Sequence, residues 1–388
     1  MAKIRSILLF LVIVWQVVYS AIPPTGQCVK DAYPPSEKRK IPSFTIDLDL
    51  PPEKRWIKLA YEKRHEINET LNVLRRFTGA FFGGKLVQAV NEFLPLMLTL
   101  PEPFKTEIAS IAKATGIHQG EIMLYNVFYE VFTFCTSIVA QDDKGNLYHA
   151  RNLDFGIFLG WDIKNHTWLV TEALRHNILE LEFYKQKKLV YKSVGFAGYV
   201  GVITALKPKH FSLTVDERFK LNGGYIGILE WLMGDHSSHW MGFLTRSVME
   251  NATDYNSAKK ILSTTKLIAP LYFILGGTKP GEACIITRDR GTNKADIMEM
   301  TNGSTGWYLL ETNYDHWENP PFYDNRRTPA IKCLKKMTQK NASFAGLFNV
   351  LSTQPNLNKL TVYSALMEAK TGTLETYLQF CDDPCWPW

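Results

Sequence analysis

At residue 135 the spacing of the apolar residues changes from that of helices to that of strands. Upstream, "EKRWIKLAYEKRHEINETLNVLRRF" sets Trp56, Ala60, Ile67, Leu71 and Leu74 at three-to-four spacing, as one buried helix face requires. "GKLVQAVNEFLPLMLTL" and "GEIMLYNVFYEVF" read as two further, more apolar helices. From Cys135 the runs are short and β-rich: "CTSIVAQ", "LYHARN", "TWLVTEAL", "LELEFY", "LVYKSV", "YVGVITAL" and "FSLTVDE". Helical patterns return at 225–233, 241–251 and 257–262, and "PLYFILGG", "ACIITRD", "ADIMEM" and "GWYLLETNY" follow as strands. The order helices, strands, helices, strands, helices predicts a layered α+β protein with mostly antiparallel sheets.

The first strand pair can be placed more closely. Asp142-Asp143-Lys144-Gly145-Asn146 is turn chemistry. If it reverses the chain, opposed positions sum to about 286 to 289, and Cys135 lies opposite a residue between 151 and 154. That bracket holds Arg151 and Asp154. Strand geometry is therefore expected to bring both charged side chains to the Cys135 sulfur.

The chain opens "MAKIRSILLFLVIVWQVVYSAIPP", with Lys3 and Arg5 ahead of an apolar run that Gln16 interrupts. A run this short falls below the ~20 residues of a membrane span, and Val18 and Ser20 suit a signal-peptidase site, so residues 1–20 read as a removed leader. An uncleaved anchor is the alternative. The formal charge of +6 becomes +4 without Lys3 and Arg5, and the basic residues are not clustered, which argues against nucleic-acid binding. Asn68, Asn165, Asn251, Asn302 and Asn341 all begin N-x-S/T sequons, expected to be exposed and glycosylated. With six cysteines, they point to the secretory pathway and an oxidising or lysosomal compartment.

Among the cysteines, Cys381 and Cys385 enclose a proline turn and suit a local disulfide, with a metal pair as the alternative. Cys284 sits in an apolar strand as a core thiol. Cys28 and Cys333 could tie the ends of the fold together, which leaves Cys135 without an obvious partner. A nucleophilic thiol needs a base or a cationic neighbour, and donors for the oxyanion formed on attack. No papain-like signature supplies a histidine. The α-amine of Cys135 itself could serve if the chain were cut just before it, since its reference pKa is near ~8.

"CTSIVAQDDKGNLYHARNLDFG" resembles the start of the catalytic chain in N-terminal nucleophile hydrolases of the choloylglycine-hydrolase and acid ceramidase group. The likeness runs through "LDLPPEKRW", "FAGYVG", "TVDERF", "NGGYIGILEW", "ITRDR", "ETNYDHW", "DNRRTPA" and "LNKLTVY". It implies a four-layer αββα fold and self-cleavage between Phe134 and Cys135. The products would be a helical segment 21–134 and a catalytic segment 135–388, joined as a heterodimer.

Residue by residue, the resemblance implies Cys135 as nucleophile and Arg151 and Asp154 as contacts of its thiol and new amine. Asn313 would be the oxyanion donor, with Glu217 and Arg326 in the pocket; a slip of one position would substitute Asp216 or Arg327. It implies the disulfides Cys28–Cys333 and Cys381–Cys385, and no cofactor or metal. Its implied substrate is ceramide in lipid membranes, hydrolysed in the lysosome, with secretion and an N-acylethanolamine substrate as alternatives. A sphingolipid activator protein of the saposin kind is the implied partner. Residues 78–104, rich in apolar side chains such as Phe81, Phe82, Leu86 and Phe93, are expected to form a lipid-facing patch, with Arg75, Arg76 and Lys85 drawing it to anionic lipid.

Overall fold

In the computed structural model, which describes residues 26–82, 99–127, 133–156, 160–220, 223–301 and 306–387, Asp142 builds the expected turn. Its carboxylate accepts from the backbone N–H of Lys144 and Asn146 at 2.9 and 2.8 Å, and Gly145 supplies the positive φ of 84° that the reversal needs. The flanking strands pair antiparallel with Cys135 opposite Leu153, inside the expected bracket.

In chain order the strands are β1 (Ser43–Asp47), β2 (Thr133–Gln141), β3 (Leu147–Phe155), β4 (Trp161–Asp162), β5 (Thr167–Trp168), β6 (Ile178–Lys185), β7 (Lys188–Phe196), β8 (Thr204–Lys207), β9 (Phe211–Glu217), β10 (Leu271–Gly276), β11 (Ala283–Arg288), β12 (Ala295–Glu299), β13 (Tyr308–Glu311), β14 (Thr361–Glu368) and β15 (Thr373–Leu378). One sheet runs β13-β2-β3-β14-β15 and a second β1-β6-β7-β8-β9-β10-β11-β12. β1 pairs with β6 in parallel, while the other neighbours in these two sheets are antiparallel.

The two sheets lie face to face, with Val139 and Leu147 of one packed among Tyr272, Ile274, Ala283 and Ile285 of the other. On the outer face of the five-stranded sheet, Ile138, Ala140 and Ala150 meet Leu334, Leu347 and Phe348 from helices Arg327–Met337 and Phe344–Leu351. Helices Met241–Asn251 and Tyr255–Thr264 cover β7, β8, β10 and β11 from the other side. The result is the αββα sandwich that the resemblance implies.

Several local expectations change. "TWLVTEAL" forms a helix, Leu169–Arg175, because burial of Val170, Thr171, Leu174 and Arg175 follows a helix face and overrides the β propensity of the residues. "YVGVITAL" contributes only Thr204–Lys207 as strand. The first helical stretch is broken into Pro52–Arg55, Ile57–Glu62 and Arg64–Phe82. The chain also ends in the β14–β15 hairpin, where helix was expected, and Ser43–Asp47 adds a strand to the catalytic half's sheet.

A second tie joins the early segment to the rest. Glu107, fully buried, accepts from the Trp56 indole at 2.8 Å, from Arg55 at 3.0 Å and from both terminal nitrogens of Arg246. Cys28–Cys333 and Cys381–Cys385 are disulfides, so the metal-pair alternative falls away; Cys135 and Cys284 are buried free thiols. Asn68, Asn165, Asn251 and Asn341 are exposed. Asn302, the leader, and the side chains of Phe81, Phe82, Lys85, Leu86 and Phe93 lie outside the described residues. Arg75, expected to serve lipid, instead forms a paired contact with Glu121 at 2.6 and 2.8 Å.

Candidate active site

Side chains alternate along a strand, so Cys135, Ser137 and Val139 share the face of β2 that looks into the layer between the sheets. The pairing of Cys135 with Leu153 puts Arg151 on that same face, one diagonal step away. Its Nη2 donates to the Cys135 sulfur at 2.5 Å. The guanidinium is held there by bonds from Nη1 to the carbonyl of Ile203 at 2.9 Å and to the Thr204 hydroxyl at 2.8 Å.

The same alternation turns Asp154 away from the sulfur. It lies opposite Phe134, and its Oδ2 accepts from Asn358 at 3.2 Å and Arg326 at 3.4 Å on the helix-covered face. The expectation that both charges reach the sulfur therefore holds for Arg151 alone. A bracket four residues wide cannot fix which face a strand residue takes, since one step reverses it.

Arg326 stands just before the helix Arg327–Met337 and gathers the backbone around the nucleophile. It donates to the carbonyl of Cys135 at 2.5 Å, to Asn313 Oδ1 at 2.6 Å and to both oxygens of Asp324, at 2.6 and 2.9 Å. Asn313 Oδ1 also accepts from the Cys135 amide N–H at 2.8 Å, while Nδ2 donates to the carbonyl of Glu217, also at 2.8 Å. In the uncut chain Asn313 thus offers Cys135 an acceptor, and its donor is bonded to backbone. Arg327 points elsewhere, to the carbonyls of Tyr314, Asp315 and Glu318.

Glu217 takes part in this network through its carbonyl. The carboxylate beside Arg151 is Asp216, with Oδ1 3.6 Å from Nη2 and accepting from Ser137 at 2.8 Å. Asp216 entered the sequence reading only as a slip of alignment. A signal was available: Ser212, Thr214 and Asp216 occupy every second position of "FSLTVDE", a polar face on an otherwise apolar strand. Asp324 and Asn358 lie within "DNRRTPA" and "LNKLTVY", but in loops where no strand or helix periodicity says which side chain faces the site.

Burial sets the electrostatics. It holds the Cys135 thiol well above its ordinary pKa, against the pull of Arg151. It also lifts Asp216 to about 7 against Arg151, and Asp154 to about 6 against Arg326. Burial alone would lower Arg326, but Asp324 and Asp154 raise it above the ordinary value. The uncut site therefore keeps a neutral thiol beside fixed cations. The Phe134 ring lies on the opposite face of β2 from the sulfur, packed on Phe219 and 5.6 Å from the Arg326 guanidinium, with Trp161, Trp168 and Leu360 in the same apolar cluster.

Comparison with known proteins places this geometry. Residues 135–329 match the family "Linear amide C-N hydrolases, choloylglycine hydrolase family", whose match starts at Cys135. Residues 39–99 match "beta subunit of N-acylethanolamine-hydrolyzing acid amidase". The chain is 49% identical to an acid ceramidase of Balaenoptera acutorostrata scammoni, covering 100% of this chain and 99% of that one. It is 50% identical to the acid ceramidase of Homo sapiens, covering 96% and 95%. Among solved structures, the Caenorhabditis elegans N-acylethanolamine-hydrolyzing acid amidase ortholog is 31% identical with a TM-score of 0.53, covering 63% of this chain and 100% of that one.

Proposed function

This chain belongs to the acid ceramidase family of linear amide C–N hydrolases, and we propose that it hydrolyses the amide of ceramide to sphingosine and a fatty acid. The observation that carries the reading is the contact of the Cys135 sulfur with Arg151 at the residue where the amidase family match begins. A guanidinium at 2.5 Å stabilises a thiolate as it forms.

The same sulfur first cuts the chain. Attack on the Phe134 carbonyl carbon breaks its bond to the Cys135 nitrogen and forms a thioester, which water hydrolyses to leave Cys135 as a free N-terminus. The new α-amine then takes the thiol proton during attack on ceramide and returns it to the departing sphingosine nitrogen. The acyl thioester is hydrolysed in turn. Arg326 and Asn313 hold the backbone of Cys135, and the Asn313 side-chain amide, which carries two N–H donors, serves as the oxyanion donor. Asp154 anchors Arg326, and Glu217 orients Asn313 through its carbonyl.

The Phe134 carbonyl and the ceramide carbonyl must meet the same sulfur. The apolar seat of the Phe134 ring is thus where a fatty acyl chain fits after the cut. The four exposed sequons and the two disulfides support passage through the secretory pathway, and kinship with acid ceramidases supports the lysosome as destination and a saposin-type activator as partner. The match of residues 39–99 and the nematode structure favour N-acylethanolamines as a second substrate class. Assaying ceramide and N-palmitoylethanolamine side by side decides between them: ceramide is expected to turn over faster, and a clear preference for the ethanolamide would reverse the assignment.

A further inference from the structure

The amine that acts as base in the mature enzyme does not exist before the first cut. In the uncut chain the Cys135 nitrogen is an amide whose N–H is given to Asn313. Self-cleavage needs another group to take the thiol proton.

Two carboxylates are near. Asp154 is on the opposite face of β3, and its Oδ2 is engaged by Arg326 and Asn358. Asp216 is on the sulfur's own side of the sheet, fully buried, and shares Arg151 Nη2 with the thiol, its Oδ1 lying 3.6 Å and the sulfur 2.5 Å from that nitrogen. A chain of donors fixes one of its two oxygens. Thr214 donates its hydroxyl to Ser137 at 2.9 Å, and Ser137 donates to Asp216 Oδ1 at 2.8 Å. With each hydroxyl proton spent, Thr214 must accept from His149 Nε2, 3.0 Å away. Oδ1 is thereby committed as an acceptor, while Oδ2, buried, has no hydrogen-bond partner among the described residues. A buried lone acceptor costs stability unless a donor reaches it. The Cys135 thiol, which donates only a long 3.9 Å bond to the carbonyl of neighbouring Val215 and shares Arg151 with Asp216, is the donor that can turn to it.

We propose that Asp216 is the base that takes the Cys135 thiol proton in the uncut chain, so that self-cleavage and ceramide hydrolysis use different bases on one nucleophile. This rests on the self-cleavage reading above. The proton moves from sulfur to Asp216 Oδ2 as the sulfur attacks the Phe134 carbonyl carbon. It passes to the Cys135 nitrogen as the carbon–nitrogen bond breaks, which leaves a thioester, a neutral amine and the carboxylate restored. Water then releases the Phe134 carboxyl and the thiol. Arg151 faces both Asp216 and the sulfur, and stabilises the negative charge wherever it sits along the transfer. The other charged or titratable groups acting on Asp216 or acted on by it are Arg326, Glu311 of β13 and Tyr363 of β14. The raised pKa of Asp216, caused first by burial, gives it useful basicity for a thiol.

The test follows purified full-length precursor on reducing gels as the two chains appear, for wild type, Asp216→Asn and Ser137→Ala, across a series of pH values. Asp216→Asn keeps the acceptor for Ser137 but removes the base, and is expected to slow cleavage by roughly 10²-fold or more. It is also expected to abolish the fall in rate on the acid side of the wild-type profile. Ser137→Ala frees the carboxylate to turn and is expected to slow cleavage by roughly tenfold while keeping that acid limb. Either variant cleaving at the wild-type rate, or Asp216→Asn retaining the acid limb, would overturn the proposal. Cleavage of Cys135→Ala at the wild-type rate would instead overturn self-cleavage itself, and so separates the two failures.

Discussion

The ring of Phe134 packs on that of Phe219, with centroids 4.7 Å apart and planes tilted by 47°. In the proposed cleavage one partner becomes the end of the early segment and the other stays in the catalytic one. Cleavage leaves Phe219, 42% exposed, as part of the wall of the vacated seat. Phe219→Ala is expected to lower kcat/KM for a long-acyl ceramide by roughly fivefold, the equivalent of about 1 kcal/mol of lost apolar contact, with little effect on a two-carbon acyl analogue. Equal losses on both substrates would place the acyl chain elsewhere.

Cys28 and Cys333 lie on either side of the proposed cut and are bonded. The mature enzyme should therefore run as one species on a non-reducing denaturing gel and as two on a reducing one. Cys333→Ser should give two species on both, yet the chains should still co-purify under native conditions, because β1 remains in the sheet beside β6 and Glu107 remains paired with Arg246. Loss of the early segment from the native Cys333→Ser protein would show that these contacts are too weak to hold it.

The Glu107 cluster makes a prediction of its own. Removing its charge leaves Arg246 buried, with its remaining carboxylate partner Glu250 and the Val200 carbonyl unable to replace two guanidinium contacts. Breaking such a pair costs roughly 3–5 kcal/mol, so Glu107→Gln should lower the thermal midpoint markedly. A change below about 1 kcal/mol would mean that water or rearrangement satisfies Arg246.

Much of this architecture was legible in the sequence because local chemistry enforces it. Asp142 and Gly145 determine the turn, and the turn narrows the residue opposite Cys135 to the bracket 151–154. Parity was not legible: whether Arg151 or Asp154 shares the sulfur's face depends on one step of register. Leu169–Arg175 is a helix despite β-branched Val170 and Thr171, because tertiary burial favours a helix face there. The terminal hairpin stands where the element order predicts helix, although "TVYSALME" and "TLETYL" flank the turn residues Thr371-Gly372.

Acid should stabilise the folded chain. Burial raises Asp154 to about 6, Asp216 to about 7 and Glu311 to about 8, each above its unfolded value. The folded state then binds more protons than the unfolded one between about pH 4 and pH 8, so stability grows as pH falls through that window. His149, held down to about 3 first by burial and then by Arg151, opposes the trend below about pH 6.5 but counts as one group against three. The thermal midpoint at about pH 5 should exceed that at about pH 8 by several degrees or more, on the order expected for a few kcal/mol. A higher midpoint at the alkaline value would show that these carboxyls are not protonated in the fold.

The proposed chemistry requires Cys135 to be a free N-terminus and to carry the acyl group. Mass spectrometry of the active enzyme, quenched in acid during turnover of a long-chain ceramide and then reduced, measures both in one spectrum. The larger chain should begin at Cys135, and a fraction of it should carry one fatty acyl group on that residue, labile to hydroxylamine as a thioester is. An active enzyme whose larger chain begins at any other residue, or whose acyl group sits on a different side chain, would contradict it.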